Sequence, residues 1–504
     1  MNVRFLTRRN AEPARLADVP LMAFPSFRTA ILDAVAEECR IASLFARETA
    51  RGVELTAVVA DDAAGELGIA RTRLSDRFDS LTPACAQAHL FEREIAEQYG
   101  VVPTGHPWLK PVRWHEPLKG GRHAAAGGTP APHAGEDFFR VEGDEVHEVA
   151  VGPVHAGVIE PGHFRFQCHG EKVFHLEIAL GYQHRGIERA LIGGPDKRTV
   201  FYMETAAGDT TIGHALAYAQ AVEALAGVKP PARAHALRGI ALELERLANH
   251  TGDLGALAGD IAYLPTASYC GRLRGDYLNV TAELCGSRFG RGIVRPGGVG
   301  FDLSEAHASL LLDRFEKTTR AAGDAINLLW STPTVIERFE GTGVVDPDAC
   351  DEIGMVGVAA RACGRSIDVR HDFPFGIYRF AHLPVMTAHH GDVNSRALVR
   401  WLELQRSSEF VGSQFRAMPM TAIRREMPAT LAPDSIVVSL TEGWRGEICH
   451  VAITDGDGRF ARYKITDPSF HNWFGLALAL RDGEISDFPL CNKSFNLSYC
   501  GHDL

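Results

Sequence analysis

The sequence predicts an α+β protein of two domains, a small N-terminal one and a larger helical bundle with β-rich flanks. The length of 504 residues and the apolar content of 45% provide enough material for two cores. Residues 115–137 are rich in Gly, Ala, Pro and His and offer almost nothing to bury, which is typical of a flexible linker. We therefore place one domain at 1–114 and the other at 138–504.

The N-terminal domain contains signals for both kinds of element. Apolar residues at helical spacing predict a helix over 26–49. The β-rich run at 53–62 predicts a strand. Residues 88–100 predict a second helix that Gly100 ends.

The second domain alternates strand and helix signals. Alternating apolar and polar residues predict strands at 146–155 and 163–166. Helical periodicity predicts the bundle, in segments at 214–227, from Pro230 through Ala248, at 304–330 and from Gly391 onward. Runs rich in β-branched residues predict three further strands, at 435–440, 447–454 and 460–466.

Charge and hydropathy exclude several classes of protein. The chain has 63 acidic and 52 basic residues and a net charge of -11, so we expect no nucleic-acid partner. It contains no apolar run of the length that crosses a bilayer, and the first residues lack the apolar core of a signal peptide. We expect a chain that stays on the cytosolic side.

The ten cysteines show no metal-binding pattern. None of them forms a C-x-x-C pair, which is the spacing typical of zinc and iron–sulfur ligands. Lone cysteines in a large cytosolic protein are most often small buried apolar residues. We therefore expect this chain to bind no metal.

Long motifs in both domains resemble one family. FEREIAEQYGVVPTGHPWLKPVR (91–113) resembles the signature of the C-type subunit of bacterial complex I. Further segments resemble the D-type subunit of complex I and the large subunits of energy-converting [NiFe] hydrogenases: GPVHAGVIEPGHFRF (152–166), GYQHRGIERAL (181–191), ALELERLANH (241–250), IVRPGGVGFDL (293–303), RYKITDPSFHNW (462–473) and DFPLCNKSFNLSYCGHDL (487–504). The fusion of the two types with this tail is most similar to the large subunit of hydrogenase-4 and formate hydrogenlyase-type complexes.

The chain departs from the hydrogenases of this family at the metal ligands. The resemblance places the family's two C-x-x-C pairs at Ala207 and Thr210 and at Ser469 and Asn472. A nickel–iron centre needs soft thiolate ligands to hold and bridge its metals. We therefore expect no [NiFe] centre in this chain.

Loss of those thiolates is also a feature of complex I, where the resemblance implies a quinone site in the vacated cavity. Gly208 falls at the family's headgroup tyrosine, Glu160 falls nearest the headgroup histidine, and Asp260 aligns with the acidic partner of that histidine. The resemblance thus implies Glu160, Asp260 and His155 as acid–base residues. The other residues implied for the quinone cavity are His163, Gly208, Thr210 and Ser469.

For Glu160 and His155, a purely structural role is the alternative to a catalytic one. A close pair of buried carboxylates raises one pKa, so Glu160 is a candidate member of a proton relay. Alternatively, Glu160 is solvated or paired with an arginine such as Arg165. His155 is either a supporting catalytic residue or a hydrogen-bonded turn histidine.

Arg246 and His250 lie one turn apart on a predicted helix. The resemblance implies that they face the terminal iron–sulfur cluster of a separate small subunit, whose potential they would raise. The alternative is that they complement the dipole at the C-terminus of their helix.

The resemblance implies a subunit of a membrane-associated oxidoreductase complex, similar to complex I and hydrogenase-4, in the NADH:quinone oxidoreductase class. It would couple electron transfer to proton or cation translocation at the cytoplasmic face of the cell membrane. Its partners would be a small iron–sulfur subunit of the complex I B type and membrane proteins similar to antiporters and to the H-type subunit. NAD would bind another subunit, because this chain has no G-x-G-x-x-G after a strand.

Two other functions stay open at this point. One is a non-redox coupling subunit that bridges the iron–sulfur subunit and the antiporter-like membrane arm. The other is an intact [NiFe] hydrogenase large subunit, which would contain nickel. An open apolar tunnel between Glu160, Gly208, Asp260 and Ser469 favours the quinone site, whereas a cavity filled by side chains favours the coupling role.

Overall fold

A computed structural model of the chain describes residues 4–113, 115–118, 138–155 and 159–504, so most of the predicted linker lies outside the described residues. The described residues form a mixed helix and sheet protein, which confirms the predicted α+β class. All ten cysteines are free and buried, as predicted for small apolar residues. Among the described helices, none has both the length and the apolar character that a membrane span requires.

The N-terminal part is a sheet flanked by two helices. Its elements are β1 (Leu6–Arg8), β2 (Ala14–Arg15), β3 (Leu21–Met22), α1 (Phe24–Ala36), β4 (Arg40–Thr49), β5 (Gly52–Asp61), β6 (Glu66–Leu74), β7 (Arg77–Asp79), α2 (His89–Tyr99) and β8 (Val102–Thr104). The main sheet runs β1-β6-β5-β4, with β3 parallel to β6. The predicted strand at 53–62 and helix at 88–100 are confirmed as β5 and α2.

The predicted helix over 26–49 is wrong in its second half. Helix α1 ends at Ala36, and Glu38 adopts a left-handed φ of 66° that turns the chain into β4. Residues 40–46 of this strand are buried on both faces. A strand covered on both faces has no alternation of apolar and polar residues, so its sequence did not show a period of two.

The second part combines a bundle of long helices with a three-stranded, a four-stranded and a two-stranded sheet. Its elements are β9 (Val146–Val151), β10 (His163–His169), β11 (Lys172–Ala179), α3 (Ile187–Leu191), α4 (Thr199–Met203), α5 (Thr211–Ala226), α6 (Ala232–Asp260), α7 (Leu264–Cys285), β12 (Val294–Arg295), β13 (Gly298–Val299), α8 (Glu305–Trp330), α9 (Pro333–Phe339), α10 (Pro347–Ile353), α11 (Gly357–Ala362), α12 (Val369–Asp372), α13 (Val393–Arg416), β14 (Ser435–Glu442), β15 (Glu447–Thr454), β16 (Phe460–Thr466), α14 (Pro468–Ala479), α15 (Phe488–Phe495) and α16 (Tyr499–His502). The predicted helices and strands of this part are present, but the strand predicted at 146–155 ends at Val151.

The two parts of the chain share one sheet. Strands β16, β15 and β14 are antiparallel neighbours, and β2 from the N-terminal part pairs with β14 as the fourth strand. Buried ion pairs reinforce the junction. Arg40 on β4 contacts Glu447 on β15 at 2.5 Å, and Lys464 on β16 contacts Glu94 on α2 at 2.8 Å. The pairing with β2 and the two ion pairs therefore hold the sheet β14–β16 against the N-terminal part. Strand β16 leads directly into α14.

Candidate functional site

The four positions that the family resemblance assigns to metal ligands are buried at the starts of two helices. Ala207 and Thr210 lie in the four residues before α5, and Ser469 and Asn472 lie in the first five residues of α14. Each of the four is at most 1% exposed. All four positions are therefore shielded from solvent by this chain itself.

Ser469 and Asn472, the two positions on α14, are hydrogen-bonded to other segments of the chain. The Ser469 hydroxyl oxygen accepts from the backbone N–H of Ser498 at 2.9 Å. The Asn472 amide donates to the carbonyl of Val356 and accepts from its N–H, both at 3.0 Å. These bonds fix α14 to the C-terminal segment and to the loop before α11.

The Arg445 guanidinium contacts Thr210, one of the two positions before α5, and the neighbouring Asp209. Arg445 donates from both Nη atoms to the Asp209 carboxylate, at 2.6 and 2.8 Å, and from Nη1 to the Thr210 hydroxyl at 3.2 Å. Its Nε donates to the carbonyl of Asn496. Because a bidentate arginine–carboxylate pair is both strong and directional, Arg445 is fixed in this orientation.

Arg445 reaches the site from the tip of the β14–β15 hairpin, together with its neighbour Trp444. The Trp444 indole donates to the carbonyl of Asp209 at 3.0 Å, and the Arg445 guanidinium lies 3.9 Å from the Trp444 ring centroid. The tip packs backbone to backbone against Gly357, whose φ is 66°. A glycine is needed there because any side chain would overlap the backbone of Arg445 and Gly446.

The Asp209–Arg445 pair shifts the pKa of both of its partners. Although burial acts to raise it, Arg445 holds the pKa of Asp209 below its usual range. The Asp209 and Asp467 carboxylates outweigh burial and raise the pKa of Arg445. A fixed cation beside Thr210 repels a second cation. Within the described parts of the chain, no group of three or more His, Cys, Asp or Glu side chains is arranged to hold a metal ion.

Glu160 and Gly208 meet at the C-terminal helix α16. The Glu160 carboxylate accepts from the backbone N–H of Tyr499 at 3.3 Å, and the Cys500 thiol lies against the same carboxylate. Burial, with Glu160 adding to it, raises the pKa of Cys500 to about 11, so the thiol is neutral. A Cβ at Gly208 would meet no atom within 4 Å. The site therefore has open space at Gly208.

Asp260 lies at the C-terminal end of α6 and on the surface of this chain. Partial burial raises its pKa, and Lys493 on α15 opposes that effect. Among the described residues, no hydrogen bond or ion pair joins Asp260 to Glu160. Both carboxylates instead lie beside the C-terminal segment 493–500. Their proposed pairing stays a prediction.

His155 lies between β9 and β10, and His163 is the first residue of β10. Residues 156–158 are outside the described ranges. A ring N–H of His155 donates to the carbonyl of Gly162 at 3.0 Å, and one of His163 donates to the carbonyl of Gly152 at 3.1 Å. This geometry agrees with the turn-histidine alternative for His155. The suggested partner of Glu160, Arg165, contacts Glu148 instead, at 2.5 Å.

Arg246 and His250 are both 0% exposed and lie in the middle of α6. The helix continues to Asp260, so the alternative that these residues complement its C-terminal dipole is wrong. Arg246 donates to the carbonyls of Glu442 and Gly443 at 2.8 and 3.1 Å. It thus supports the base of the hairpin that carries Trp444 and Arg445. Whether either side chain acts on an iron–sulfur cluster stays a prediction.

Arg246 and His250 belong to a larger buried charge network. The network consists of Glu243, Arg246, His250, Arg361, Asp368, Arg370, Glu403 and Glu442. Burial, with the Asp368 carboxylate adding to it, raises the pKa of Glu442 to about 7. The network joins α6, α11, α12, α13 and β14 beneath the hairpin.

A large cavity lined by described residues lies elsewhere. It has a volume of about 800 Å³ and runs between α2, residues 107–112, β11 and α14. Phe470 and Phe474 border it, but Glu160, Gly208, Asp260 and Ser469 do not. This cavity is therefore not the predicted tunnel between those four residues.

Sequence reasoning missed the Asp209–Arg445 pair and the hairpin tip. The two residues are 236 positions apart, and an arginine in the turn sequence Gly443–Gly446 is usually solvated. The flanking glycines were the signal that this backbone approaches another closely. His214, His450 and Tyr463, which connect to Asp467, were also missed.

Comparison with known proteins identifies two family models in one chain. The model for the respiratory-chain NADH dehydrogenase 30 Kd subunit matches residues 58–121, and that for the 49 Kd subunit matches residues 260–439. The order of the two matches follows the order of the two parts of the fold.

Individual relatives include hydrogenases and complex I subunits. The carbon monoxide-induced hydrogenase of Rhodospirillum rubrum is 30% identical over 351 residues, covering 69% of this chain and 97% of the relative. Formate hydrogenlyase subunit 5 of Escherichia coli is 28% identical over 84% of this chain and 76% of the relative. NADH-quinone oxidoreductase subunit 4 of Thermus thermophilus is 29% identical over 68% of this chain and 90% of the relative.

Proposed function

Since this chain belongs to the family that includes the 30 Kd and 49 Kd subunits of respiratory-chain NADH dehydrogenase and their hydrogenase relatives, we propose that it is a fused subunit of a complex I-like, membrane-associated oxidoreductase complex. The complex couples electron transfer to translocation of protons or other cations. The chain sits at the cytoplasmic face of the cell membrane, and partner subunits hold it there.

The proposed partners supply the cofactors. A small subunit of the complex I B type holds the terminal iron–sulfur cluster, and membrane proteins similar to antiporters and to the H-type subunit form the membrane arm. NADH, where the complex uses it, binds another subunit. One relative is described as a membrane-bound hydrogenase subunit, from Pyrococcus furiosus, which supports the placement at a membrane.

The proposed complex has no [NiFe] centre in this chain. The observation that carries this proposal is the set of side chains at the four ligand positions, which provides a methyl group, two hydroxyls and an amide. Neutral oxygen and nitrogen donors do not replace four thiolates for nickel and iron. The Arg445 guanidinium adds a fixed positive charge beside Thr210, one of the four positions.

A quinone-class acceptor is the substrate that we propose for the site. Gly208 offers open space, and Glu160 lies with it at α16. Asp260, at the end of α6, is the second candidate acid–base group. Because this chain alone leaves that side open, the partner subunit completes the cavity wall. Binding energy then comes from an apolar wall and a few polar groups, as in most cofactor sites.

A second function is favoured by one specific observation. The Asp209–Arg445 pair occupies the space next to the ligand positions that precede α5. This arrangement suits a non-redox coupling subunit that transmits motion between the iron–sulfur subunit and the membrane arm. Quinone reduction by the purified complex, blocked by a competing quinone analogue, distinguishes the redox role from the coupling role.

We expect Glu160→Gln and Asp260→Asn to reduce quinone-reductase turnover of the assembled complex by about 10²-fold or more, the usual effect of losing a general acid or base. Both changes keep the side-chain shape, so co-purification of the partner subunits should be unchanged. Steady-state rates at saturating quinone measure the effect.

Glu340→Gln is the matched control, since Glu340 is exposed in the loop after α9. It should leave turnover unchanged. Wild-type rates in both the Glu160 and the Asp260 variants would show that neither carboxylate takes part in proton transfer.

A further inference from the structure

The cavity between α2, residues 107–112, β11 and α14 has the size and lining of a small-molecule site. Its volume is about 800 Å³, and most of the side chains that line it are apolar or aromatic. Leu90 on α2 and Phe470, Trp473 and Ala477 on α14 are among them. Sites for small ligands typically have this volume, an apolar wall and a few polar groups that fix the orientation of the ligand.

Helix α2 supplies one wall of the cavity from its second face. Ile95 and Tyr99 lie on the first face and pack into the core of the N-terminal part. Leu90, Arg93 and Ala96 follow one another at a spacing of three residues and line the cavity. Residues three apart share one face of a helix, so α2 places the Arg93 cation in an otherwise apolar wall.

The Arg93 guanidinium is only partly used by the protein. It donates from Nε to the carbonyl of Lys110 at 2.6 Å, from Nη2 to the carbonyl of Pro111 at 3.0 Å and from Nη1 to His89 Nε2 at 3.4 Å. A guanidinium has five N–H groups, so two of them have no acceptor among the described residues. Burial lowers the pKa of Arg93 to about 10, so the side chain is still a cation at neutral pH.

The carboxylates that line the cavity already have partners. Glu177 pairs with Lys110 at 2.6 Å. Glu97 accepts from the two backbone N–H groups of residues 112–113 at 2.6 and 2.7 Å. Both carboxylates attract Arg93, but neither forms a hydrogen bond or an ion pair with it. Among the described lining residues, Arg93 therefore carries the charge that has no carboxylate partner.

The cavity also has exposed apolar side chains around it. Leu109, Phe139 and Phe474 all line the cavity and are 40%, 42% and 41% exposed. A ligand chain that covers these side chains removes their apolar surface from water, which favours binding. The cavity thus combines an apolar surface left in contact with water and one unmatched cation.

We propose that this cavity binds an amphiphile that has one anionic headgroup and an apolar chain, the class to which medium-chain carboxylates belong. The headgroup accepts from the unused N–H groups of Arg93, and the chain lies among Leu90, Phe470 and Phe474. A carboxylate suits the guanidinium because the two groups form paired, charge-assisted hydrogen bonds. None of the residues proposed for quinone reduction lines this cavity, so the inference does not depend on the proposed function.

Calorimetric titration of the full-length chain with decanoate and with decan-1-ol tests the proposal. The two probes have the same chain length and differ in the charge of the headgroup. We expect one decanoate per chain, bound at least about 10-fold more tightly than decan-1-ol, as a hydrogen-bonded charge contributes. Displacement of decanoate by phosphatidylglycerol vesicles, but not by phosphatidylcholine vesicles, would identify a membrane lipid as the source of the headgroup. No displacement would identify a free acid.

Two variants separate the headgroup from the chain. Arg93→Gln should weaken decanoate binding about 10-fold or more and leave decan-1-ol binding unchanged. Because Arg93 also holds residues 110–111, Ala96→Phe is the second variant: it fills the cavity, keeps Arg93 and should abolish binding of both probes. Arg272→Gln is the matched control, since Arg272 pairs with Asp276 on the exposed surface of α7.

Two results would overturn the proposal, and neither bears on quinone reduction. One is equal affinity of the wild-type chain for decanoate and decan-1-ol, which would show that Arg93 does not select an anion. The other is undiminished decanoate binding in Ala96→Phe, which would place the bound chain outside this cavity. Circular dichroism of each variant confirms that the chain is folded before titration.

Discussion

Replacing Arg361 with alanine is expected to lower the free energy of unfolding by about 3–5 kcal/mol, the cost of breaking a buried ion pair from one side. Arg361 is 0% exposed and lies 2.7 Å from Glu403 and 2.9 Å from Glu442. Its removal leaves two carboxylates buried with one cation fewer. Urea unfolding followed by circular dichroism measures the change.

The matched control is Arg406→Ala. Arg406 forms a 2.9 Å pair with Glu409 on the exposed face of α13. Exposed pairs contribute only about 0.2–1 kcal/mol because water screens them. If Arg361→Ala costs no more than Arg406→Ala, the buried charge network does not stabilise the fold in the manner described.

Gly357→Ala is expected to displace the hairpin tip and to destabilise the chain. The left-handed φ of 66° costs a non-glycine residue about 1–3 kcal/mol. In addition, the new methyl group overlaps the backbone of Arg445 and Gly446, and such overpacking costs about 1–3 kcal/mol more. Urea unfolding gives the total.

Gly227→Ala separates the two contributions. Gly227 ends α5 with the same φ of 66°, but a Cβ there meets no atom within 4 Å. The variant therefore carries the conformational cost alone. Equal destabilisation by the two substitutions would mean that the hairpin tip is not held by its contact with residue 357.

The sequence alone predicts the long helices and the strands rich in β-branched residues, including the fully buried β14 and β15, but it misses strand β4. The helix at 305–330 has a clear apolar stripe and was predicted to within one residue. Strand β4 is buried on both faces over residues 40–46, and its lack of alternation concealed it.

The candidate site also contains residues that the sequence alone did not identify. The family resemblance identified Ala207, Thr210, Ser469 and Asn472, and the last two lie inside the motif at 462–473. Arg445 and His450 lie in strands and turns without such motifs. Their partners Asp209 and His214 are 236 residues away in sequence, so only the folded chain brings them together.

Metal content of the purified complex tests the central claim most directly. Because no thiolate lies at the four positions and Arg445 contacts Thr210, we expect iron from the partner's cluster and no nickel in amounts comparable to the chain. One nickel per chain, lost together with iron when Thr210 or Ser469 is replaced by alanine, would contradict the account.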